Sequence, residues 1–188
     1  DVKLMEELIH HNVDGFAARG GKHLAVSCPC CMFMLQNHWE YFYGAPLPFD
    51  IIHITQLVKP YVDTGKLKLS KRLDATITYH DPCYLSRGTR VIDEPRAVLA
   101  QIPGARIVEM PNSRELSRCC GAGGGIRRAY PEISIQMARE LMREAESVGA
   151  EILVIDCPAC YERLHLAQQG WNSRLKVMDL MQLVTELL

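Results

Sequence analysis

The sequence places two adjacent cysteines directly before a run of glycines, in RCCGAGGG at residues 118–125. Neighbouring thiols do not easily bridge each other, and glycine costs backbone entropy, so this stretch adds little to fold stability. Thiolates are good ligands for soft metals, and a backbone without side chains can approach a bound inorganic group closely. The stretch therefore indicates metal or redox chemistry.

The eight cysteines of the 188-residue chain are clustered rather than dispersed. They are Cys28, Cys30, Cys31, Cys83, Cys119, Cys120, Cys157 and Cys160. A secreted disulfide scaffold spreads its cysteines through a short chain, whereas here they stand beside ordinary apolar core segments. We therefore predict a cytoplasmic metal or redox protein.

The formal net charge of −1 gives no electrostatic reason to expect nucleic acid or a membrane surface as partner, and the apolar runs are too short for a transmembrane segment.

Adjacent cysteines fit poorly on one tetrahedral ion, but they can reach different metals of one cluster. The second half of the chain supplies five sulfurs, one more than a structural zinc normally takes. In that half, 35 residues separate Cys83 from Cys119 and 36 separate Cys120 from Cys157. A thiolate-rich iron–sulfur cluster suits this set better than zinc. The glycines of the motif, Gly121 and Gly123 among them, would turn backbone N–H groups toward sulfide.

Two stretches of the chain resemble each other. HLAVSCPCC at 23–31 and EILVIDCPAC at 151–160 are apolar runs that end in C-P-x-C, and the two motifs lie 129 positions apart. HITQLV at 53–58 matches DLMQLV at 179–184 with an offset of 126. The repetition indicates one and a half copies of a structural unit.

We assign residues 1–70 to the C-terminal part of a first unit and residues 71–188 to a complete second unit. By the same offset, the first unit's double cysteine and lone cysteine would fall before residue 1, so we expect the first unit to be truncated. The polar, lysine-rich segment 66–74 is predicted to connect the two halves.

Strands that alternate with helices predict an α/β fold with small parallel sheets flanked by helices. The predicted strands are 23–27, 50–53, 75–79, 105–109, 151–155 and 175–178. The predicted helices are 3–19, 30–42, 55–63, 95–101, 131–148, 159–168 and 179–187. Three of the strands, in LAVSC, TITYHDPC and ILVIDC, deliver a cysteine just past their carboxyl ends, where ligands gather in open α/β sheets. In two of the three, proline follows the cysteine and suits the first turn of a helix, whose free N–H groups stabilise a thiolate.

The motifs HDPC, CCGAGGG and CPAC together resemble those of the CCG-domain iron–sulfur proteins, and most of all those of the B-type heterodisulfide reductase subunits and the equivalent part of the D-type ones. The resemblance covers residues 75–188 in full and the first unit from its linking helix onward. It implies a noncubane [4Fe-4S] cluster held by Cys83, Cys119, Cys120, Cys157 and Cys160. It also implies that Cys28 and Cys31 are ligands of a second cluster, whose site this chain encodes only in part.

The resemblance implies a catalytic subunit that reduces a disulfide at the cluster, either the heterodisulfide of coenzymes M and B, as in methanogenesis, or a related thiol–disulfide pair. The alternative is an electron-transfer protein within a complex that oxidises lactate, glycolate or glycerol-3-phosphate, or that serves sulfur metabolism. Partners would be separate iron–sulfur and flavin subunits. The location would be the cytoplasm, or a membrane complex reached through a partner protein.

Several residues have two interpretations. His80, the candidate catalytic residue, could protonate a departing thiolate or hydrogen-bond a cluster sulfur, or it could close a turn and bond the backbone. Cys30, whose counterpart in the repeat is Ala159, is expected to be a small buried thiol rather than a spare ligand. Arginines that flank the double cysteine could hold an anionic substrate or form a solvated rim. They are Arg114, Arg118, Arg127 and Arg128.

Overall fold

The computed structural model describes residues 1–188 as an α/β protein with six short strands. The strands are β1 His23–Val26, β2 Asp50–His53, β3 Thr76–His80, β4 Arg106–Ile107, β5 Ile152–Ile155 and β6 Lys176–Asp179. The helices are α1 Val2–Ala17, α2 Pro29–Tyr43, α3 Ile54–Asp63, α4 Asp93–Leu99, α5 Ile126–Ala129, α6 Pro131–Ser147, α7 Pro158–Gln168 and α8 Leu180–Leu187. None of these helices has both the length and the apolar character needed to cross a bilayer.

Every predicted strand and helix is present, which confirms the α/β assignment. The largest difference is in β4, which is shorter than predicted because only Arg106 and Ile107 pair with β3. Three short helical turns were not predicted. They are a π-helical turn at Tyr84–Gly88, a 3-10 turn at Arg114–Leu116, and α5. All three lie in the loops around the cysteines, where hydrophobic periodicity carries little information.

The strands form two parallel sheets, one of order β1-β2 and one of order β4-β3-β5-β6. The registers of the two sheets correspond to each other. Val26 pairs with His53 in the first sheet, and Ile155 pairs with Asp179 in the second. These two pairs are related by the offsets of 129 and 126 found in the sequence. Strand β5 lies between two neighbours, whereas its counterpart β1 has a neighbour on one side only.

Both C-P-x-C motifs begin a helix, as predicted. Cys28 is the N-cap of α2 and Cys157 is the N-cap of α7, each followed by proline in the first turn. The Cys28 Sγ accepts a hydrogen bond from the backbone N–H of Cys31 at 3.4 Å. Each motif therefore places its first sulfur between the carboxyl end of a strand and the N-terminus of a helix.

A buried polar network joins the two units. His53, at the end of β2, has its Nδ1 3.1 Å from Thr55 Oγ1 and 3.4 Å from Asp156 Oδ2. Thr55 Oγ1 donates a hydrogen bond to Asp156, and all three residues are at most 1% exposed. Burial raises the pKa of Asp156 to about 7 and lowers the pKa of His53 to about 4. The network fixes the first unit against the residue that precedes Cys157.

Replacing Thr55 by valine should lower the free energy of unfolding by about 1–3 kcal/mol, because Asp156 would stay buried without its hydroxyl donor. Urea denaturation under reducing, anaerobic conditions measures this change. Thr185→Val is the matched control, since Thr185 is exposed on α8 and bonds only its own helix. The control should change stability by no more than about 0.5 kcal/mol. Equal effects of the two substitutions would show that the network contributes nothing specific.

Candidate metal centre

Five cysteines from three separate segments of the second unit line one cavity of about 140 Å³. Cys83 follows β3, Cys119 and Cys120 lie in the glycine-rich loop, and Cys157 and Cys160 begin α7. The structure therefore brings together all five sulfurs of the second unit, although up to 77 positions separate them in sequence (Cys83 to Cys160). The cavity lies beyond the carboxyl ends of β3 and β5, as the positions of the cysteines predicted.

The five thiols interact closely. The sulfurs of Cys120 and Cys160 are 2.9 Å apart, and both residues are buried together with Cys157. Hydrogen bonds from the thiols of Cys120 and Cys83 lower the pKa of Cys119. The bond between Cys83 and Cys119 also raises the pKa of Cys83. Ionising all five thiols at once would bring several negative charges together in a largely buried space. The five thiolates therefore require cations that neutralise their charges. Five sulfurs suit a cluster with several metals better than one zinc.

The glycine-rich loop is shaped by contact with α6 as well as by the cavity. Gly121 has a φ of +78°, and a Cβ placed on it would lie 2.6 Å from the carbonyl oxygen of Ser134. Its N–H donates to Cys119 Sγ at 3.4 Å, and its carbonyl accepts a bond of 2.6 Å from Ser134 Oγ. Gly123, by contrast, lines the cavity and has open space around its Cβ position. The lack of a side chain at Gly121 therefore lets the double cysteine lie close to α6. The lack of one at Gly123 leaves that part of the cavity wall without a side chain.

A buried carboxylate orients the segment that carries Cys83. Asp81 is 1% exposed and accepts two hydrogen bonds from Arg96, at 2.7 and 2.8 Å. It also accepts the backbone N–H of Arg114 at 2.6 Å. Paired and charge-assisted bonds of this kind are strong and directional. Asp81 therefore ties the end of β3 to the loop that leads to Cys119, and the motif HDPC alone did not reveal this role.

His80 is a buried neighbour of the sulfurs of Cys120 and Cys160. It is 1% exposed, and one of its ring nitrogens lies within 4.8 Å of the sulfurs of Cys120 and Cys160. Nδ1 is 3.1 Å from Ser117 Oγ, so its hydrogen-bond partner is a side chain rather than the backbone. Nε2 is buried and has no partner in the protein. Burial lowers the pKa of His80 to about 4, so the ring is neutral at pH 7.

The expectation that Cys30 is a buried thiol is wrong. Cys30 is exposed, and it lines the cavity of the second unit together with Pro29. The reason is that the first turn of α2 faces the cavity across the boundary between the units. Cys28 and Cys31 are not among the residues that line this cavity. The sequence could not predict which first-unit cysteine lines the cavity. The offset of the repeat shows which residues of the two units are equivalent, but it does not show how the units pack together.

An open groove of about 540 Å³ adjoins the cavity and shares Cys83 and Cys119 with it. Apolar side chains, among them Phe33 and Met137, and one cation, Arg87, line the groove. Three of the four arginines that flank the double cysteine are engaged in ion pairs of 2.7 Å. These pairs are Arg114–Asp93, Arg118–Glu144 and Arg127–Glu162. The cation that borders the groove is therefore Arg87, which sequence reasoning did not single out.

The segment that contains all five cavity cysteines matches a known family. Residues 77–165 match the family model described as CCG, the cysteine-rich domain. This stretch is a CCG domain. The match confirms the resemblance predicted from HDPC, CCGAGGG and CPAC, and the CCG domain includes the buried His80 and five of the cysteines that line the cavity.

Curated relatives match the CCG domain together with residues that precede it. Over 182 residues, the chain is 38% identical to the D-type subunit of dihydromethanophenazine:CoB–CoM heterodisulfide reductase from Methanosarcina barkeri, with 97% of this chain and 44% of that protein covered. It is 30% identical to a probable iron-sulfur-binding oxidoreductase of Bacillus subtilis, with 97% and 26% covered. It is 33% identical to the EtfAB:quinone oxidoreductase of Syntrophomonas wolfei, with 84% and 22% covered.

The chain spans less than half of the length of each of these relatives. The match to the Methanosarcina barkeri protein covers 97% of this chain and so includes α1 to α3 as well as the CCG domain. The similarity to that relative is therefore not confined to the CCG domain.

Proposed function

We propose that this chain is part of an iron–sulfur oxidoreductase subunit that reduces a disulfide, or oxidises the corresponding thiols, at a noncubane [4Fe-4S] cluster in its CCG domain. The observation that carries the proposal is the convergence of five cysteines on one cavity. We assign Cys83, Cys119, Cys120, Cys157 and Cys160 as the ligands. When bound, the cluster would supply electrons one at a time to a substrate sulfur.

The protein around the cavity suits this ligand role. The backbone N–H of Gly121 already points at a sulfur, that of Cys119, and such bonds tune the potential of a cluster. Asp81 and the Arg96 guanidinium hold the Cys83 segment in place, so this ligand needs little rearrangement to bind metal. Preorganisation of this kind is what the supporting residues of a metal site provide.

The groove beside the cavity favours a protein that binds a substrate over one that only transfers electrons. It reaches Cys83 and Cys119 from solvent, and its walls are largely apolar. One arm of a small disulfide could pack against Phe33 and Met137, while an anionic group on it could bond Arg87. Arg87 is held in place because its Nη1 donates to the carbonyl oxygens of Glu115 and Ser117, at 2.8 and 2.9 Å.

A second proposal is an electron-transfer role within a larger complex, for which no substrate groove is needed. The names of two relatives favour it, since one is an EtfAB:quinone oxidoreductase and the other a probable iron-sulfur-binding oxidoreductase. On either proposal, Cys28 and Cys31 belong to a second cluster site that this chain forms only in part. The electron donor would be a separate flavin or iron–sulfur protein, and the complex would act in the cytoplasm or at a membrane reached through that partner.

Metal analysis of anaerobically purified protein tests the cluster. We expect a brown protein with about four irons and matching acid-labile sulfide in the second unit. Zinc analysis on the same sample is the control. A colourless protein with one zinc would contradict both proposals.

Adding thiols to the oxidised protein separates the two proposals. If the protein reduces disulfides, a thiol that enters the groove would change the electron paramagnetic resonance spectrum of the cluster. Titration with thiols that do or do not carry an anionic group gives a matched comparison, since only the former can bond Arg87. A spectrum unchanged by every thiol would favour simple electron transfer.

A further inference from the structure

The CCG domain contains a buried pair, Ser117 and His80, whose role the ligand assignment does not explain. Ser117 is 4% exposed and His80 is 1% exposed. Ser117 Oγ and His80 Nδ1 are 3.1 Å apart. Ser117 lies two positions before Cys119, and His80 lies three positions before Cys83. The pair therefore joins the two loops that carry these sulfurs.

The hydrogen-bond inventory decides which atom carries the proton. The hydroxyl of Ser117 has one partner, the Nδ1 of His80. A buried hydroxyl that donates to nothing costs about 1–3 kcal/mol, so Ser117 should donate to Nδ1. A neutral imidazole carries one N–H, and with Nδ1 as acceptor that N–H is on Nε2.

The Nε2–H has no acceptor in the protein. The ring lies beside the sulfurs of Cys120 and Cys160, which are electron-rich and accept hydrogen bonds. A buried donor without a partner, next to a cavity lined by sulfur, indicates that its partner is the group the cavity holds.

We propose that Ser117 is a positioning residue, which fixes His80 in the tautomer whose Nε2–H donates to a sulfur of the cluster. The inference rests on the proposed cluster and deepens it by naming a residue that sets the potential without touching the cluster. Hydrogen bonds to cluster sulfurs stabilise the more negative, reduced state and raise the reduction potential. The backbone of Ser117 is itself held, because its carbonyl accepts a 2.9 Å bond from Arg87 and its N–H bonds the carbonyl of Arg114 at 3.2 Å.

The test compares the midpoint potential of the cluster in three variants. Ser117→Ala removes the hydroxyl that selects the tautomer, and we expect a more negative potential with the iron content unchanged. Ser117→Thr keeps a hydroxyl and should restore the potential to that of the natural protein. Ser86→Ala is the matched control, since Ser86 is also buried near the cysteines but bonds the carbonyl of Pro82 instead. It should leave the potential where it is.

The proposal is overturned if Ser117→Ala keeps both its cluster and its potential, or if Ser86→Ala shifts the potential as much. Nitrogen-15 spectra of histidine-labelled natural protein provide a second measurement that needs no variant and no bound iron. They should show a protonated Nε2 and an unprotonated Nδ1 for His80, and the opposite tautomer would also overturn the proposal. Protein without iron would refute the proposed function, while these spectra would still decide which tautomer His80 adopts.

Discussion

Replacing Cys119 by alanine is expected to remove the cluster, with iron in the second unit falling from about four atoms per chain to background. Cys119 is the sulfur that the neighbouring thiols of Cys120 and Cys83 stabilise as a thiolate, since their hydrogen bonds lower its pKa. It also lines both the cavity and the groove. Alanine offers no donor at this position, so the cluster would lose one of its five ligands. Iron and sulfide analysis, with the visible absorption spectrum, measures the loss.

Cys30→Ala is the control for this experiment, because Cys30 also lines the cavity. It comes from the first unit and is exposed, so the five cysteines of the CCG domain should suffice without it. We expect Cys30→Ala to keep its full iron content. A normal cluster in Cys119→Ala would refute the ligand assignment, and loss of iron in Cys30→Ala would make Cys30 a ligand.

The fold was largely predictable because its signals are local or periodic. Apolar strand-length runs, proline after a cysteine and the repeated C-P-x-C motif placed each strand and each long helix within a few residues. The offset of the repeat agrees with the observed registers, since Val26–His53 and Ile155–Asp179 are equivalent pairs. The short turns were missed because tertiary contacts, not periodicity, determine them. The π-helical turn at Tyr84–Gly88, for instance, packs against α2 of the other unit.

The site was predictable only in part, for a related reason. Cysteine spacing indicated which five sulfurs belong together, because few chemistries other than metal binding need adjacent thiols. The residues that hold those sulfurs are ordinary in type, and distant parts of the chain supply their partners. Thr55 meets Asp156 across 101 positions, and Ser117 meets His80 across 37. Cys30 reaches the cavity for the same reason, since only the packing of one unit on the other decides where it lies.

The Gly121→Ala substitution is expected to destabilise the CCG domain by at least about 2 kcal/mol. It tests whether this glycine is required by the local motif or by packing against α6. The left-handed backbone alone costs a residue with a Cβ about 1–2 kcal/mol. The new methyl group would also meet the carbonyl oxygen of Ser134 at 2.6 Å, a contact that backbone movement must relieve. Moving the loop away from α6 would displace the double cysteine. Unfolding by urea under anaerobic conditions, with iron analysis of the same sample, measures both effects.

Gly123→Ala is the matched comparison, because it adds the same methyl group two positions later in the same loop. Its Cβ would meet nothing within 4 Å, so stability should change by less than about 1 kcal/mol. The sequence assigned one role to both glycines, namely to bring the backbone close to sulfide. If that role were sufficient, the two variants would lose iron equally and neither would unfold early. A large loss of stability in Gly121→Ala alone would instead show that this glycine is needed because α6 leaves no room for a side chain.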